Sequence, residues 1–454
     1  MSRDLHLIEG EGEDLLFFPE TYRLYTLPKE QGLAVTKALA GEGPIPEPIG
    51  RLLAEGRETV KPERKAQAPE TTTLCLYMAH DCNLSCSYCY NQGGRSVNPA
   101  MMMPEAVAET TFRRFFTRPG GIYSVGFYGG EPLLNFPVIK RAVEIGEALK
   151  KERGIEITYG ITTNGTILDE EMTGFMAAHS FSVTVSLDGP GEVNDLHRRY
   201  KGAEGGSVYE RALENIRRLK DAGVRVTIKG TLAGGAVHSF ESSLAHLEGL
   251  GVEVAILTPV NVRPGNQAFI SDEKYMDFVE RYAGLIRRDF MDIEERKGRW
   301  TEQTFTIIAN LLTKRRLLRH CNAGHDVAVT ADGSVYACHG LVGTEKFRMG
   351  SVFDEESDAF NQVREAFSCL NVDDLEECRD CWARYLCGGS CYAHAYENRG
   401  SISLPDPRHC ALFTKAAETV IAEFMRLMAD PSGRERLYKK MREAIASPKA
   451  AVHG

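Results

Sequence analysis

Cysteine is the residue type with the clearest chemical meaning in this chain, because its positions are strongly grouped. Of the 12 cysteines, three lie in the segment His80-Asp-Cys82-Asn-Leu-Ser-Cys86-Ser-Tyr-Cys89-Tyr, and most of the others lie between residues 321 and 410. No cysteine lies between Cys89 and Cys321. Thiols grouped in this way in a reducing compartment bind metal more often than they form disulfides.

The first group has the spacing Cys-x3-Cys-x2-Cys, which places three thiolates on one tight loop with no fourth nearby. A structural zinc site normally has four ligands. A 4Fe–4S cluster held by Cys82, Cys86 and Cys89 would instead keep one iron free to bind a substrate. The alternative interpretation is a zinc loop that takes His80 as a ligand.

This loop resembles the signature of the radical S-adenosylmethionine (SAM) enzymes. Three further segments of that family follow in order: Tyr128-Gly-Gly-Glu-Pro132, Ile161-Thr-Thr-Asn-Gly-Thr166 and Ser186-Leu-Asp-Gly-Pro190. The first would bind the amino group of SAM, because glycines permit close backbone approach and a carboxylate suits an ammonium. The residues that the resemblance assigns to the cofactor are Tyr88, Gly129, Gly130, Glu131, Asn164, Ser186, Asp188 and Arg198.

Each of these assignments has a simpler alternative. An isolated Gly-Gly-Glu-Pro is also an ordinary turn between a strand and a helix. Arg198 lies in a segment that resembles the family's Asp-x-x-Arg stretch and is the candidate clamp for the methionine carboxylate, with Arg199 less favoured. Either arginine would otherwise belong to a solvated helix face.

The resemblance implies radical chemistry. SAM binds the open iron through its amino and carboxylate groups, and one electron from the cluster yields methionine and the 5′-deoxyadenosyl radical. That radical removes hydrogen from an unactivated C–H bond. The cofactor carries the difficult step, while the protein orients it and excludes water.

The C-terminal cysteines resemble the SPASM extension, a module with two auxiliary iron–sulfur clusters. By that resemblance Cys378, Cys381, Cys387 and Cys410 ligate one cluster, and Cys321, Cys338 and Cys391 ligate the other. Cys369 is a candidate fourth ligand of the latter, with His325 or Asp326 less favoured; otherwise that cluster is open to substrate. A zinc ribbon is the alternative interpretation.

The elements that must position these residues alternate between strand and helix. Strands are predicted at 74–79, 124–128, 155–162, 182–187, 225–232 and 252–257, with helices such as 104–117, 136–152 and 208–222 between them. This order predicts an α/β fold in which a parallel sheet forms a partial (β/α)6 TIM-type barrel, with active groups at the carboxyl ends of the strands.

Four regions are predicted along the chain. They are a small N-terminal α+β module at 1–65, the barrel at 72–300, a cysteine-rich SPASM domain at 315–415 and a helical tail at 416–454. Within the first region, short strands near 15–18 and 22–25 precede a helix at 31–40. The Pro-rich stretch 43–48 is predicted to break structure, and 61–70 is predicted to be a polar linker.

Composition excludes several classes of function. A net charge of −9 provides no global positive field for a nucleic-acid backbone. No apolar run reaches the length needed to cross a bilayer, and the N-terminus has no secretory signal pattern. We therefore expect a cytoplasmic protein with neither a nucleic-acid nor a membrane partner.

Local strings around the later cysteines narrow the predicted reaction. Cys338-His-Gly-Leu-Val-Gly and Cys381-Trp-Ala-Arg-Tyr-Leu-Cys-Gly-Gly-Ser-Cys391 resemble thioether-forming peptide maturases of six-cysteine (SCIFF, ranthipeptide) precursors and the quinohemoprotein amine dehydrogenase maturation enzyme. We therefore predict that this chain crosslinks a cysteine thiol to carbon in a ribosomal precursor peptide. Its leader would add a strand to the N-terminal module, and a flavodoxin- or ferredoxin-type donor would supply electrons.

Two alternatives stay open. Anaerobic sulfatase-maturing enzymes, which oxidise Cys or Ser to formylglycine, usually have an Asp base directly after the cysteine at which this chain has His339. A histidine at this position makes the sulfatase-maturing function less favoured, although a histidine could also accept a proton. The second alternative is a structural iron–sulfur or metal-binding module that does not cleave SAM.

Overall fold

The computed structural model describes residues 4–59, 71–89, 101–202, 206–291, 293, 301–354 and 358–446. The strands are β1 His6–Ile8, β2 Glu13–Phe18, β3 Arg23–Pro28, β4 Thr73–Ala79, β5 Ile122–Gly129, β6 Glu156–Thr163, β7 Ser182–Ser186, β8 Arg225–Leu232, β9 Val254–Pro259, β10 Val327–Val329, β11 Ser334–Tyr336 and β12 Arg348–Ser351. The predicted linker at 61–70 lies outside the described residues.

The helices lie between and after these strands. They are α1 Lys29–Leu39, α2 Glu47–Thr59, α3 Glu105–Phe115, α4 Phe136–Arg153, α5 Glu170–Ala178, α6 Gly191–His197, α7 Val208–Asp221, α8 Phe240–Gly249, α9 Asp272–Met291, α10 Glu302–Thr313, α11 Asp358–Ser368, α12 Arg384–Cys387, α13 Tyr392–Arg399, α14 Pro407–Ala429 and α15 Pro431–Ala446. In the described residues, no helix is both long and apolar enough to span a bilayer.

The chain divides into two compact units. We call residues Ala68–Tyr275 and Asn322–Cys369 the sheet unit. We call residues Met1–Gln67, Met276–Cys321 and Leu370–Gly454 the terminal unit. The four predicted domain boundaries stay predictions.

The sheet unit is built on a nine-stranded sheet in the order β12-β11-β10-β4-β5-β6-β7-β8-β9. Strands β4 to β9 pair in parallel, and β10 adds to β4 in parallel before β11 and β12 continue antiparallel. The predicted α/β class, with a mostly parallel sheet and intervening helices, is confirmed. The three strands at the β12 edge were not predicted from the sequence.

The sheet of the terminal unit has the order β1-β2-β3, and its two faces pack against different partners. Leu16 and Phe18 of β2 pack with Leu27, Val35 and Ile49 in a core shared with α1 and α2. Alternate residues of the same strands pack into a second core with Trp382 and the C-terminal helices. Period-two alternation thus gives this small sheet two apolar faces, both buried.

One prediction in the terminal unit is wrong in detail. The Pro-rich stretch 43–48 does not simply break structure, because α2 begins at Glu47 with Pro48 in its first turn, where a proline removes no helical hydrogen bond. The described part of the predicted helical tail is helical and consists of two helices, because the side chain of Asp430 accepts hydrogen bonds from the start of α15 and ends the preceding helix.

Candidate active site

The cysteine loop follows β4 and forms backbone hydrogen bonds with residues 197–201. The Ser85 and Ser87 amides donate to the carbonyls of Arg199 (2.7 Å) and His197 (3.0 Å). The Cys89 amide donates to the Cys86 carbonyl at 3.2 Å, which closes a turn between these two cysteines. The loop is therefore positioned by the segment after α6, and not by its own sequence alone.

The three thiols of this loop lie close enough to act on one another. Burial raises the pKa of Cys82 to about 12, with further increases from the Glu131 carboxylate and from Cys86 and Cys89. Burial also raises the pKa of Cys86 to about 11, although Arg198 opposes the shift. The Cys82 and Cys86 thiols are thus protonated without iron, and binding a cluster would release their protons.

A buried charged cluster lies beside the loop. Arg198 donates to Asp188 Oδ1 at 2.9 Å, and the Tyr88 hydroxyl donates to Asp188 Oδ2. The Thr231 amide of β8 donates to Asp188 Oδ1 at 2.8 Å. The Nε of Arg198 is buried without a hydrogen-bond partner among the described residues. That donor can still take an acceptor, which fits a ligand at this point.

Arg198 remains a cation despite its burial. Burial by itself would lower its pKa, but the charge of Asp188, followed by Tyr88 and Cys86, raises the pKa above the ordinary value. Asp188 is equally buried. A buried ion pair needs further hydrogen bonds to be stable, and the Tyr88 hydroxyl and the Thr231 amide provide them.

Glu131 is fully buried and hydrogen-bonded to the end of β6. Its carboxylate accepts from the Thr163 hydroxyl and the Asn164 amide, both at 2.8 Å, and from the Leu133 amide at 3.1 Å. The side chain of Asn164 donates to Asn83 Oδ1 at 2.8 Å and approaches Cys82 Sγ at 3.7 Å. Glu131 and Asn164 therefore join the end of β6 to the cysteine loop.

Gly129 and Gly130 allow the backbone after β5 to approach that loop. A Cβ at Gly129, whose φ is +131°, would lie 2.4 Å from the Ala79 carbonyl oxygen. A Cβ at Gly130 would lie 2.2 Å from the Asp81 carbonyl oxygen. Both glycines are thus required for packing, which is a sufficient reason for them whether or not they contact SAM.

We expect Glu131 to make stability pH-dependent. Burial raises its pKa from 4.5 to about 7 despite three hydrogen bonds that lower it. Between those values the folded state holds a proton that the unfolded state has lost, so the free energy of unfolding falls as the pH rises through this window. In Glu131→Gln, the decrease in unfolding free energy between pH 5 and 7.5 should be smaller by about 2 kcal/mol.

Urea unfolding of both proteins at the two pH values measures this difference. Asp169→Asn is the matched control, because it replaces a carboxylate by an amide at the exposed N-cap of α5. An equal pH dependence in wild-type protein and Glu131→Gln would contradict the raised pKa.

His80 and His339 have distinct surroundings in the sheet unit. His80 is buried, and its Nε2 accepts from the Ala331 amide at 3.2 Å, so that nitrogen is already engaged. The His339 ring lies 5.5 Å from that of Tyr128, and the Tyr77 hydroxyl donates to the His339 carbonyl at 2.8 Å. Desolvation and the charge of Lys229 lower the pKa of His339 to about 4, so its imidazole is neutral near pH 7.

Four of the C-terminal cysteines act on one another in the terminal unit. Burial raises the pKa of Cys378 to about 12, and Cys410 and Cys381 raise it further. Burial raises the pKa of Cys387, and the nearby Cys410, Cys381 and Cys378 raise it further. His409 Nε2 lies 3.5 Å from Cys387 Sγ. The structure thus places Cys378, Cys381, Cys387 and Cys410, the predicted ligands of one auxiliary cluster, near enough to raise one another's pKa.

The other predicted auxiliary ligands are divided between the units. Cys321 and Cys391 belong to the terminal unit, and Cys338 and Cys369 to the sheet unit. In the described residues, no three His, Cys, Asp or Glu side chains converge tightly enough to hold a single metal ion. The ligand set of this cluster stays a prediction.

Several site residues were not predicted from the sequence. Asn83 and Thr163 make the hydrogen bonds that connect Asn164 and Glu131 to the loop. His197 contacts the loop through Ser87 Oγ at 2.8 Å, and Lys201 through Asp81 at 2.6 Å. The only available signal was their adjacency to predicted motifs, since the contacts themselves join distant parts of the chain.

Comparison with known proteins identifies related chains. The family model of the Radical SAM superfamily matches residues 76–247. A cysteine-type anaerobic sulfatase-maturating enzyme of Clostridium perfringens (strain 13 / Type A) is 26% identical over 337 residues, covering 71% of this chain and 89% of that protein.

Two solved structures share the fold. Native anSMEcpe with bound AdoMet has a TM-score of 0.67 at 20% identity and covers 79% of this chain and 100% of its own. Streptococcus suis SuiB bound to precursor peptide SuiA has a TM-score of 0.54 at 14% identity and covers 90% of this chain and 99% of its own.

Proposed function

We propose that this chain, whose residues 76–247 match the Radical SAM superfamily model, is a radical SAM enzyme that forms thioether crosslinks in a cysteine-containing ribosomal precursor peptide. The observation that carries the peptide assignment is the three-stranded N-terminal sheet. Its third strand, β3, pairs only with β2 in the described residues, so its other edge can accept a strand. An extended leader peptide that adds to this edge would bind through main-chain hydrogen bonds.

The comparisons support a peptide substrate. SuiB, whose structure contains a precursor peptide, covers 90% of this chain, against 79% for anSMEcpe. The N-terminal sheet also has its own core with α1 and α2, so it is more than an extended arm. The separate core of this sheet favours a folded recognition module at the N-terminus.

The residues around the cysteine loop suit a cluster and SAM. Cys82, Cys86 and Cys89 would hold the 4Fe–4S cluster, and the open Nε of Arg198 would face an acceptor such as a carboxylate. When bound, the cluster and SAM supply the 5′-deoxyadenosyl radical that takes a hydrogen atom from the peptide. Asp188 and Tyr88 hold the guanidinium of Arg198 in place, while Glu131 and Asn164 fix the backbone beside Cys82.

The C-terminal cysteines would supply electron transfer. We assign Cys378, Cys381, Cys387 and Cys410 to one auxiliary cluster, because these buried or half-buried thiols lie near enough to raise one another's pKa. Thioether formation removes one hydrogen atom from carbon, one proton from the thiol and one electron, and an auxiliary cluster is a suitable acceptor for that electron. A flavodoxin- or ferredoxin-type protein would deliver the electron that starts the reaction.

Formylglycine formation is the second candidate, because the C. perfringens sulfatase-maturating enzyme covers 71% of this chain. His339 stands where that activity usually has an aspartate. Its imidazole is neutral at pH 7 and binds a proton only near pH 4. An ordinary aspartate has a pKa of about 4 as well, so base strength at this position does not separate the two reactions, and their products must.

Mass spectrometry of the product separates the two reactions. The reconstituted enzyme, SAM and dithionite would be incubated anaerobically with the peptide from a small cysteine-rich reading frame beside the gene. We expect the loss of two hydrogen atoms per crosslink with all sulfur retained. Conversion of a cysteine to an aldehyde with loss of its sulfur would establish formylglycine instead. The isolated leader segment should bind the full-length enzyme, and Thr26→Pro, at an exposed position of β3, should weaken this binding without abolishing SAM cleavage. Unchanged leader affinity in Thr26→Pro would contradict the recognition module.

A further inference from the structure

The parallel strands of the sheet unit have one apolar and one polar face. Residues paired in parallel register lie on the same side of a sheet, so one face can be followed from strand to strand. In order from β4 to β9 it contains Cys75, Tyr77, Gly126, Tyr128, Gly160, Thr162, Thr184, Ser186, Thr227, Lys229 and Ile256. The alternate positions, such as Val125, Val183 and Ile228, are apolar and fully or almost fully buried.

Lys229 is the charged residue on the carboxyl-terminal half of this polar face. Its neighbours Ile228 and Gly230 are buried, whereas Lys229 is exposed. In the described part of the chain its ammonium makes neither an ion pair nor a hydrogen bond. The other side chains of this face toward the carboxyl ends of the strands are uncharged, so the sheet itself provides Lys229 with no counter-charge.

The location of Lys229 connects it to the candidate active site. It pairs in register with Ser186, and two residues further along β8 the Thr231 amide binds Asp188. Its charge also acts on His339, which contacts Tyr128 of the same face. Lys229 therefore stands on the face that a substrate would meet, among hydroxyl and aromatic groups.

We infer that Lys229 binds a carboxylate group of the peptide substrate. This inference rests on the proposed function and narrows its substrate to peptides with an acidic residue near the reacting cysteine. The ammonium of an exposed lysine is strongly hydrated. A ligand that displaces this water must therefore provide an anionic group to bind the ammonium, because an unpaired buried charge is costly. A carboxylate on the peptide provides this anionic group and fixes the position of the peptide along the sheet.

SAM also carries a carboxylate, so the source of the anion must be tested. Arg198 provides a second cation with an open donor, so the two carboxylates have two candidate partners. We assign the peptide to Lys229 because that ammonium is exposed, whereas Arg198 is buried beside the cysteine loop.

Charge reversal gives a direct test with defined probes. The probes are acetyl-Gly-Cys-Gly-Asp-Gly-amide and its counterparts with Asn or Lys in place of Asp, titrated against the reconstituted enzyme in the presence of SAM. Wild-type protein should bind the Asp peptide about tenfold more tightly than the Asn peptide. Lys229→Met should lose this discrimination, and Lys229→Glu should prefer the Lys peptide. Lys151→Met is the matched control, since Lys151 is an exposed lysine of α4.

The outcomes separate this inference from the proposed function. Equal affinity of wild-type protein for the Asp and Asn peptides would overturn the role of Lys229, even if SAM is cleaved and crosslinks form. Weaker SAM binding in Lys229→Met with an unchanged Asp-to-Asn ratio would also overturn it, because the anion would then be that of SAM. Absence of crosslinks in the natural peptide, with the charge preference intact, would contradict only the thioether reaction.

Discussion

Replacing Cys86 by alanine is expected to abolish the formation of 5′-deoxyadenosine from SAM. The loop supplies three thiols on one turn, and Cys86 is the one that closes the turn with Cys89 and contacts the Arg198 guanidinium. Without it the cluster has two protein ligands and cannot be retained with an open iron. Product formation should fall to the detection limit, and about four of about twelve iron atoms per chain should be lost.

Cys75→Ala provides the control for this prediction. Cys75 lies on β4, immediately before the same loop, but is not a predicted ligand, and burial raises the pKa of its thiol further than that of any loop cysteine. This variant should keep its iron and its rate of SAM cleavage. A Cys86→Ala protein that still produces 5′-deoxyadenosine would remove the basis of the cluster assignment.

Strands whose residues alternate strongly were predictable from the sequence. Strand β8 has the predicted bounds, Arg225–Leu232, because its apolar residues alternate with polar ones over the whole length. The charge of Lys229 was visible within that alternation. The role we infer for this charge was not predictable, because it depends on the pairing with β7 and on the absence, within the described residues, of a partner for the Lys229 ammonium.

Short or proline-containing elements were not predictable in the same way. Strands β10 and β11 have three residues each and are stabilised by pairing with β4 and with one another. A segment of that length carries too little periodicity to be recognised. The start of helix α2 was not predictable, because closely spaced prolines usually indicate a break, although Pro48 is tolerated in a first turn.

The candidate site, too, was only partly predictable from the sequence. Motif spacing was sufficient to predict Cys82, Asn164 and Asp188 as neighbours, since each follows the carboxyl end of a parallel strand. It did not show that Tyr88 binds Asp188, or that Glu131 is bound by Thr163. These hydrogen bonds join segments that are far apart in sequence, so only the folded arrangement of the strand ends determines them.

The terminal unit contains a buried arginine that connects the N-terminal sheet to the C-terminal cysteines. Arg384 lies between Cys381 and Cys387, and its side chain has 0% relative exposure. Its guanidinium donates to Glu20 at 2.5 Å, to Asp373 at 3.3 Å and to the Cys381 carbonyl at 3.0 Å. Next to it, Trp382 is stacked on His6 with ring centroids 3.9 Å apart.

Arg384→Met is therefore expected to lower the free energy of unfolding by about 3 kcal/mol, because it leaves two carboxylates without their shared cation in a largely buried site. The loss should be moderated by Arg316, which also binds Glu20 at 2.7 Å, and by the Tyr385 hydroxyl, which binds Asp373 at 2.8 Å. Since Glu20 belongs to the turn between β2 and β3, leader affinity should fall together with stability. Denaturant unfolding and leader titration measure the two effects.

Arg379→Met distinguishes this network from a general effect of charge. Arg379 lies in the same cysteine segment, but its side chain is 51% exposed and forms an ion pair with the adjacent, exposed Asp380. An exposed pair contributes little, so this variant should change the unfolding free energy by less than about 0.5 kcal/mol. Glu20→Gln combined with Arg384→Met should then cost less than the sum of the single changes, because both remove one interaction. If Arg384→Met is as stable as Arg379→Met and binds leader normally, the N-terminal sheet does not depend on this arginine.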